Sequence, residues 1–154
     1  MTQTAEPTGR PSLGRGLIRS LRPKQWSKNA LVFAAPVAAG MIDDRSTLLH
    51  TLGAFACFCA AASATYLLND AADVEADRRH PVKRHRPIAA GSVPVPLAVG
   101  LAAVLLVVSV AGAFVVAVDF GVTLLAYLAL TTTYTYWAKH VPVLDIVAVA
   151  AGFV

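Results

Sequence analysis

The chain has 154 residues, of which 56% are hydrophobic and 14% charged, with a formal net charge of +4. Together with a mean hydropathy of +0.62, so low a charge fraction argues against an ordinary soluble domain. The positive balance could suggest nucleic acid, but its distribution along the chain points to a membrane, and no nucleic-acid partner is expected.

The first residues are polar and rich in Gly, Pro and Arg. Residues 1–16 are expected to form a disordered cytoplasmic tail, and no cleavable signal peptide is expected, since the first 29 residues hold no early apolar core followed by a small-residue cleavage site. Residues 17–154 then form the membrane domain. Its first apolar segment, Asn29 to Ile42, is short and contains Pro36; it is expected to gain length from the Gln25–Lys28 shoulder. Residues 48–68 hold no Lys, Arg, Asp or Glu and make a second span. Residues 93–118 make a third, with Pro94 and Pro96 at its start, where missing amide protons cost little. Residues 120–138 make a fourth after a turn at Asp119 and Gly121, and Val141 begins a fifth that is still running at Val154. The expected fold is therefore all-α, a multi-spanning transmembrane helical bundle with four complete spans and the start of a fifth, truncated inside it. Cys57 and Cys59 lie two residues apart in the second span, face different ways, and read as small buried side chains rather than a disulfide.

The basic residues test this map. Of the 13 Lys and Arg, all but Arg45 fall before span one, between spans two and three, or between spans four and five. The positive-inside rule makes that side cytoplasmic, in a multi-pass protein of the cell membrane. Trp26, Tyr134, Tyr136 and Trp137 lie near the same boundary, where interfacial anchoring is their simplest role.

Span two ends in Asn69-Asp70-Ala71-Ala72-Asp73-Val74-Glu75-Ala76-Asp77. At about 100° per residue, taking Asn69 as zero, Asp73 falls at about 40°, Asp77 at about 80° and Asp70 at about 100°. Glu75, at about 240°, faces away. Three carboxylates on adjacent turns repel one another, and the helix C-terminus disfavours anions. A divalent cation relieves both penalties, and the hard oxygen ligands suit Mg²⁺ bound jointly to carboxylates and substrate phosphates. Asp70, Asp73 and Asp77 are the expected metal ligands, with Asn69 donating to phosphate. Lys83, Arg84 and Arg86 follow on a segment bent by Pro81 and Pro87, and suit phosphate oxygens. His80 and His85 have no second ligand at a useful spacing. Lys28 and Asn29, just before span one, are candidates to close a phosphate pocket, although an amphipathic surface segment explains that run equally well. Asp145, near the start of span five, is a further ionisable candidate.

The pattern Asn69-Asp70-x-x-Asp73-x-x-x-Asp77 resembles the first aspartate-rich motif of the UbiA superfamily of intramembrane prenyltransferases. The Arg22-Pro23-x-x-Trp26-x-Lys28-Asn29 run and the loop Lys83-Arg84-His85-Arg86-Pro87-Ile88-Ala89-x-Gly91 are similar to one actinobacterial branch, which serves cell-wall arabinan synthesis. The resemblance implies a bundle of about nine spans with a second aspartate motif beyond Val154. It implies transfer of a phosphoribosyl group from phosphoribosyl diphosphate to a decaprenyl or other polyprenyl phosphate, with diphosphate released. Carried over, Asp73, Asp77 and Lys28 would serve catalysis. Asn69, Lys83, Arg86 and Asn29, and less directly Tyr134 and Lys139, would meet phosphate. Mg²⁺ is the implied cofactor; membrane lipid and the two substrates are the implied partners, and a homo-oligomer is compatible with the sequence. Two other readings stand beside this one: prenyl transfer to an aromatic acceptor, which would use the same motif, and a transporter or non-catalytic scaffold. A transporter would place its polar residues near midmembrane, whereas these gather at one interface.

Overall fold

The computed structural model describes residues 12–136, with side chains through residue 133. All of its regular structure is helical. Helix α1 runs over Leu13–Ser20, followed by a 3-10 segment, Pro23–Phe33, and the short α2, Ala34–Ala38. Next come α3, Arg45–Ala72, and α4, Val74–Arg79. A 3-10 turn at Lys83–His85 leads to α5, Val95–Val116, and α6, Val118–Tyr136.

At 1.5 Å per residue, α3 extends about 42 Å and α5 about 33 Å, enough to cross a hydrocarbon core of about 30 Å. These are the two helices among the described residues that are long and apolar enough to do so. Helix α5 is almost wholly apolar and mostly exposed. A core helix of a soluble protein would be covered; Val104, Val107, Val108 and Val115 are instead exposed, as lipid-facing side chains are. Helix α6 starts where span four was expected, but as a shorter apolar helix.

Three expectations are corrected. Of the four complete spans expected, two helices among the described residues, α3 and α5, have the length and hydropathy of a span. The segment 29–42 is not a continuous span: it divides between the 3-10 segment and α2, then turns at Gly40, whose φ is +65°. As an α-helix its 14 residues would reach only about 21 Å, and Pro36 withholds one of its amide donors. The tail expected to be disordered through residue 16 is helical from Leu13. Lys139 and the start of a fifth span over Val141–Val154, with Asp145, lie outside the described residues.

The described residues divide into two compact units, one within Met1–Leu31 and Ala62–Leu106, the other within Val32–Ala61 and Val107–Val154. The first has a core of Ala64, Leu67, Ile88, Val93, Ala98 and Ala102, against which Leu17, Leu21 and Leu68 pack. Its many alanines allow backbones to approach closely. Gly16 of α1 uses the same device: a Cβ there would stand 3.0 Å from Val93 Cγ2. The second unit packs Cys57, Ala61, Ala113 and Leu124 together with Phe58 and Phe120. Phe58 meets Tyr127 edge-on, with centroids 5.6 Å apart and an interplanar angle of 81°, a favourable quadrupole arrangement. Cys57 and Cys59 are both buried and unbridged.

The turn between α5 and α6 depends on Gly121. A methyl group there would lie 2.5–2.7 Å from the Phe114 ring. Gly121→Ala is therefore expected to cost about 1–3 kcal/mol, read as a lower midpoint of thermal unfolding in nanodiscs; an unchanged midpoint would mean that the ring swings aside freely. At the start of α3, Asp44 caps the helix: its Oδ2 accepts from the Thr47 amide at 2.7 Å and the Thr47 hydroxyl at 2.9 Å. Those bonds, the amide first, hold its carboxyl below the ordinary range. The cap is thus fully formed above the ordinary carboxyl value of 3.8 and is lost only as pH falls through the lower folded value.

Candidate functional site

The end of α3 carries the acidic cluster, and the backbone keeps its helical pitch through it. The helix breaks formally at Asp73 (φ −90°, ψ 8°), yet Asp73 N donates to Asn69 O at 3.0 Å and Asp77 N to Asp73 O at 2.8 Å. Asp70 and Asp77, seven residues apart, therefore stay within about 20° of each other around the axis. They are buried, at 3% and 2% exposure, whereas Asp73 and Glu75 are exposed and Asn69 is half-buried. Glu75 pairs outward with Arg78 at 2.7 Å, as its position on the far side of the helix requires.

Two buried carboxylates need cations, because an unpaired charge out of water costs several kcal/mol. Arg86 supplies one: its Nη1 donates to Asp70 Oδ1 at 3.0 Å and to Asp77 Oδ2 at 2.7 Å. Arg22 supplies the other, gripping both oxygens of Asp70 with Nη2 at 2.7 and 3.0 Å. Its guanidinium also lies 4.6 Å from the centroid of the Tyr66 ring, a cation–π distance.

Local sequence explains how both arginines arrive. Arg86 precedes Pro87, which bars the helical conformation and leaves Arg86 extended (φ −64°, ψ 141°) just after the 3-10 turn. The following residues fix it from behind: Pro87 O accepts from Ser92 N and Val93 N at 2.9 and 3.1 Å. Ile88 and Val93 are each 1% exposed, and Gly91 takes a φ of +75°. His80 caps the same loop, its Nδ1 accepting from the Val82 and Lys83 amides at 3.2 and 3.3 Å. Arg22 stands between α1 and Pro23 with a φ of +53°, the only positive φ of a non-glycine among the described residues. Such a conformation persists where surrounding contacts over-determine it. Nearby, the Trp26 indole donates to Ser63 Oγ at 3.0 Å and Ser63 donates to Leu21 O at 2.9 Å. Trp26 thus ties the 3-10 segment to α3, beyond the anchoring role its position suggested.

These groups border a cavity of about 300 Å³ lined by Arg19, Arg22, Asp70, Lys83, His85 and Arg86, among others. Four cations face one carboxylate there, so the cavity suits an anion with several oxygens, such as a phosphate or diphosphate. Of the residues singled out in the sequence, the structure brings together Asp70, Asp77, Lys83 and Arg86. It leaves Asp73 and Lys28 exposed, and Lys28 and Asn29 lie on the 3-10 segment without lining the cavity. Tyr134 falls in α6 beyond the described side chains. Arg22 and Arg19 were not among the expected site residues.

Among the described residues no three His, Cys, Asp or Glu side chains converge as a metal cage. The donor set still fits Mg²⁺, which takes one or two carboxylates and fills its octahedron with water and phosphate. Asp70 and Asp77 already converge on one cationic nitrogen, that of Arg86.

Residues 30–154 match the profile of the UbiA prenyltransferase family. Three curated relatives are decaprenyl-phosphate phosphoribosyltransferases. That of Corynebacterium glutamicum is 49% identical over 146 residues, 92% of this chain and 44% of its own. That of Mycolicibacterium smegmatis is 45% identical over 159 residues, 99% of this chain and 50% of its own. That of Mycobacterium tuberculosis is 45% identical over 146 residues, 92% of this chain and 48% of its own. The chain spans about half the length of the curated relatives it matches.

Proposed function

The chain belongs to the UbiA prenyltransferase family, and from that premise we propose that it transfers a 5-phosphoribosyl group from phosphoribosyl diphosphate to a polyprenyl phosphate, in cell-wall precursor synthesis. The observation that carries this reading is the cationic cavity beside the buried Asp70–Arg86–Asp77 cluster, in a chain whose relatives bear that activity. Family membership implies a metal-dependent mechanism. Asp70 and Asp77 would hold Mg²⁺, with Asp73 contributing from the solvent side. The ion would draw electron density from the leaving diphosphate.

The remaining work falls to the side chains. Lys83 and Arg19 attract the donor's phosphates, and Arg86 and Arg22 turn part of their hydrogen bonding toward them as the carboxylates are neutralised. Fixed cations at the leaving group stabilise the charge that grows there. An oxygen of the polyprenyl phosphate forms the new bond to ribose C1, while the C1–oxygen bond to diphosphate breaks and its electron pair leaves with diphosphate. The nucleophile is already anionic, so no proton need be removed and no covalent enzyme intermediate is required; alignment supplies much of the acceleration. Asn69, and Lys28 and Asn29 from outside the cavity, would add phosphate contacts, and Tyr134 and Lys139 would border the same cytoplasmic side. The topology goes with this: a multi-pass bundle in the cell membrane, with α3 and α5 as two of its spans and the acidic cluster in the cytoplasm where the water-soluble donor is available.

Equilibrium binding tests the donor assignment. Labelled phosphoribosyl diphosphate should bind the protein as the cell makes it, reconstituted in nanodiscs, and Lys83→Gln should weaken binding by about three- to tenfold. Equal affinity in that variant would remove Lys83 from the site, and no binding by wild type would remove the donor.

A further inference from the structure

A second cavity adjoins the first, and it differs in character. It has a volume of about 570 Å³ and is lined by Arg15, Ile18, Arg19, Arg22, Pro23 and Lys24, with Gln25. Arg19 and Arg22 line both cavities. No carboxylate lines this one among the described residues, whereas the first contains Asp70.

Helix α1 explains the difference. Its inner face seats Gly16 against Val93 and buries Ser20, while Leu17 packs on the core of its unit. At about 100° per residue, Ile18, Arg15 and Arg19 fall on the other side. There Ile18 is 63% exposed, an apolar side chain flanked by two guanidiniums. Past the end of the helix, the positive φ of Arg22 turns the chain so that Pro23 and Lys24 close the same hollow. The result is a largely apolar groove with cations on its walls. Its volume is that of an ordinary ligand site.

We propose that this groove holds the phosphate head and the first isoprene units of the lipid acceptor. The inference rests on the transferase reading above. A lipid phosphate is the ligand whose chemistry matches both properties: Arg15, Arg19 and Lys24 answer its charge, and Ile18 and Pro23 its chain. The shared arginines supply the second argument. Attack at ribose C1 requires acceptor and donor to approach to van der Waals contact, and Arg19 and Arg22 stand between an anion cavity bearing the carboxylates and an apolar groove bearing none. A bulk anionic phospholipid offers similar chemistry; continuity with the donor cavity favours the acceptor.

The test is the double variant Arg15→Gln, Lys24→Gln, in nanodiscs of neutral lipid. The KM for polyprenyl phosphate should rise about tenfold or more, while the KM for phosphoribosyl diphosphate and the thermal midpoint stay unchanged. The conservative pair Arg15→Lys, Lys24→Arg should restore most of the loss. An unchanged lipid KM would overturn the proposal. So would a defect that appears only when phosphatidylglycerol is added, which would assign the groove to bulk lipid. Equilibrium binding of labelled polyprenyl phosphate, compared with the uncharged polyprenol and without donor, separates this proposal from the transferase reading. Wild type that binds the phosphate through Arg15 and Lys24 but gives no transfer would sink the reading and keep the site; transfer with an unaltered lipid affinity in the double variant would do the reverse.

Discussion

Replacing Arg86 with Met should lower the unfolding free energy of the reconstituted protein by about 3–5 kcal/mol. Arg86 bonds both buried carboxylates, Asp70 at 3.0 Å and Asp77 at 2.7 Å. Asp70 would keep Arg22, but Asp77, 2% exposed, would lose its charged partner without gaining water. The cost arises from the stranded charge, not from the attraction lost. Adding Asp77→Leu to Arg86→Met should therefore recover most of the stability, since an apolar pair in place of a buried ion pair is often neutral or better. Reversible unfolding in nanodiscs reads both. A loss below about 1 kcal/mol in the single variant, the range of an exposed ion pair, would mean that water reaches Asp77.

Asp77→Asn should act on chemistry instead. The amide keeps an oxygen to accept from Arg86, so the thermal midpoint should move much less than in Arg86→Met. The lost charge removes half of the proposed Mg²⁺ pair, and kcat should fall by at least about 100-fold, with more Mg²⁺ needed for half-maximal rate. Asp73→Asn should reduce turnover in the same direction with no loss of stability, because Asp73 is exposed. Wild-type turnover in Asp77→Asn would remove the carboxylate pair from the mechanism.

The long helices were legible because an apolar run has few alternatives. Expected spans at 48–68 and 93–118 became α3 over Arg45–Ala72 and α5 over Val95–Val116. The boundaries moved outward at α3 because Asp44, a polar residue ignored by hydropathy, caps the helix through Thr47. The opening segment was misread for the opposite reason: its composition is apolar, but Pro36 and its short reach defeat a continuous helix. In the site, helical angles put Asp70, Asp73 and Asp77 on one face and set Glu75 apart; the structure joins Asp70 and Asp77 through Arg86 and pairs Glu75 outward with Arg78. The angles could not show that Asp70 and Asp77, two turns apart, would be buried while Asp73 stayed in solvent. That depends on what packs against the helix end.

Arg22 illustrates the limit most clearly. It lies 48 residues from Asp70 in the chain, so no local period connects them. Its only sequence signal was membership of the Arg-Pro run before Trp26. Arg86 was legible as a phosphate ligand by its basic neighbours, yet its hydrogen bonds go to the carboxylates. Desolvated aspartates must be neutralised before any ligand arrives, and the nearest loop cation meets that need.

The most direct measurement is transfer itself. The reconstituted protein is incubated with ribose-labelled phosphoribosyl diphosphate, polyprenyl phosphate and Mg²⁺, and label is followed into the lipid phase. The expected result is a labelled phosphoribosyl lipid with one diphosphate released per lipid formed, abolished by chelation of the metal. Label that stays wholly in the aqueous phase, while a polyprenyl diphosphate and an aromatic acceptor are condensed by the same preparation, would contradict it.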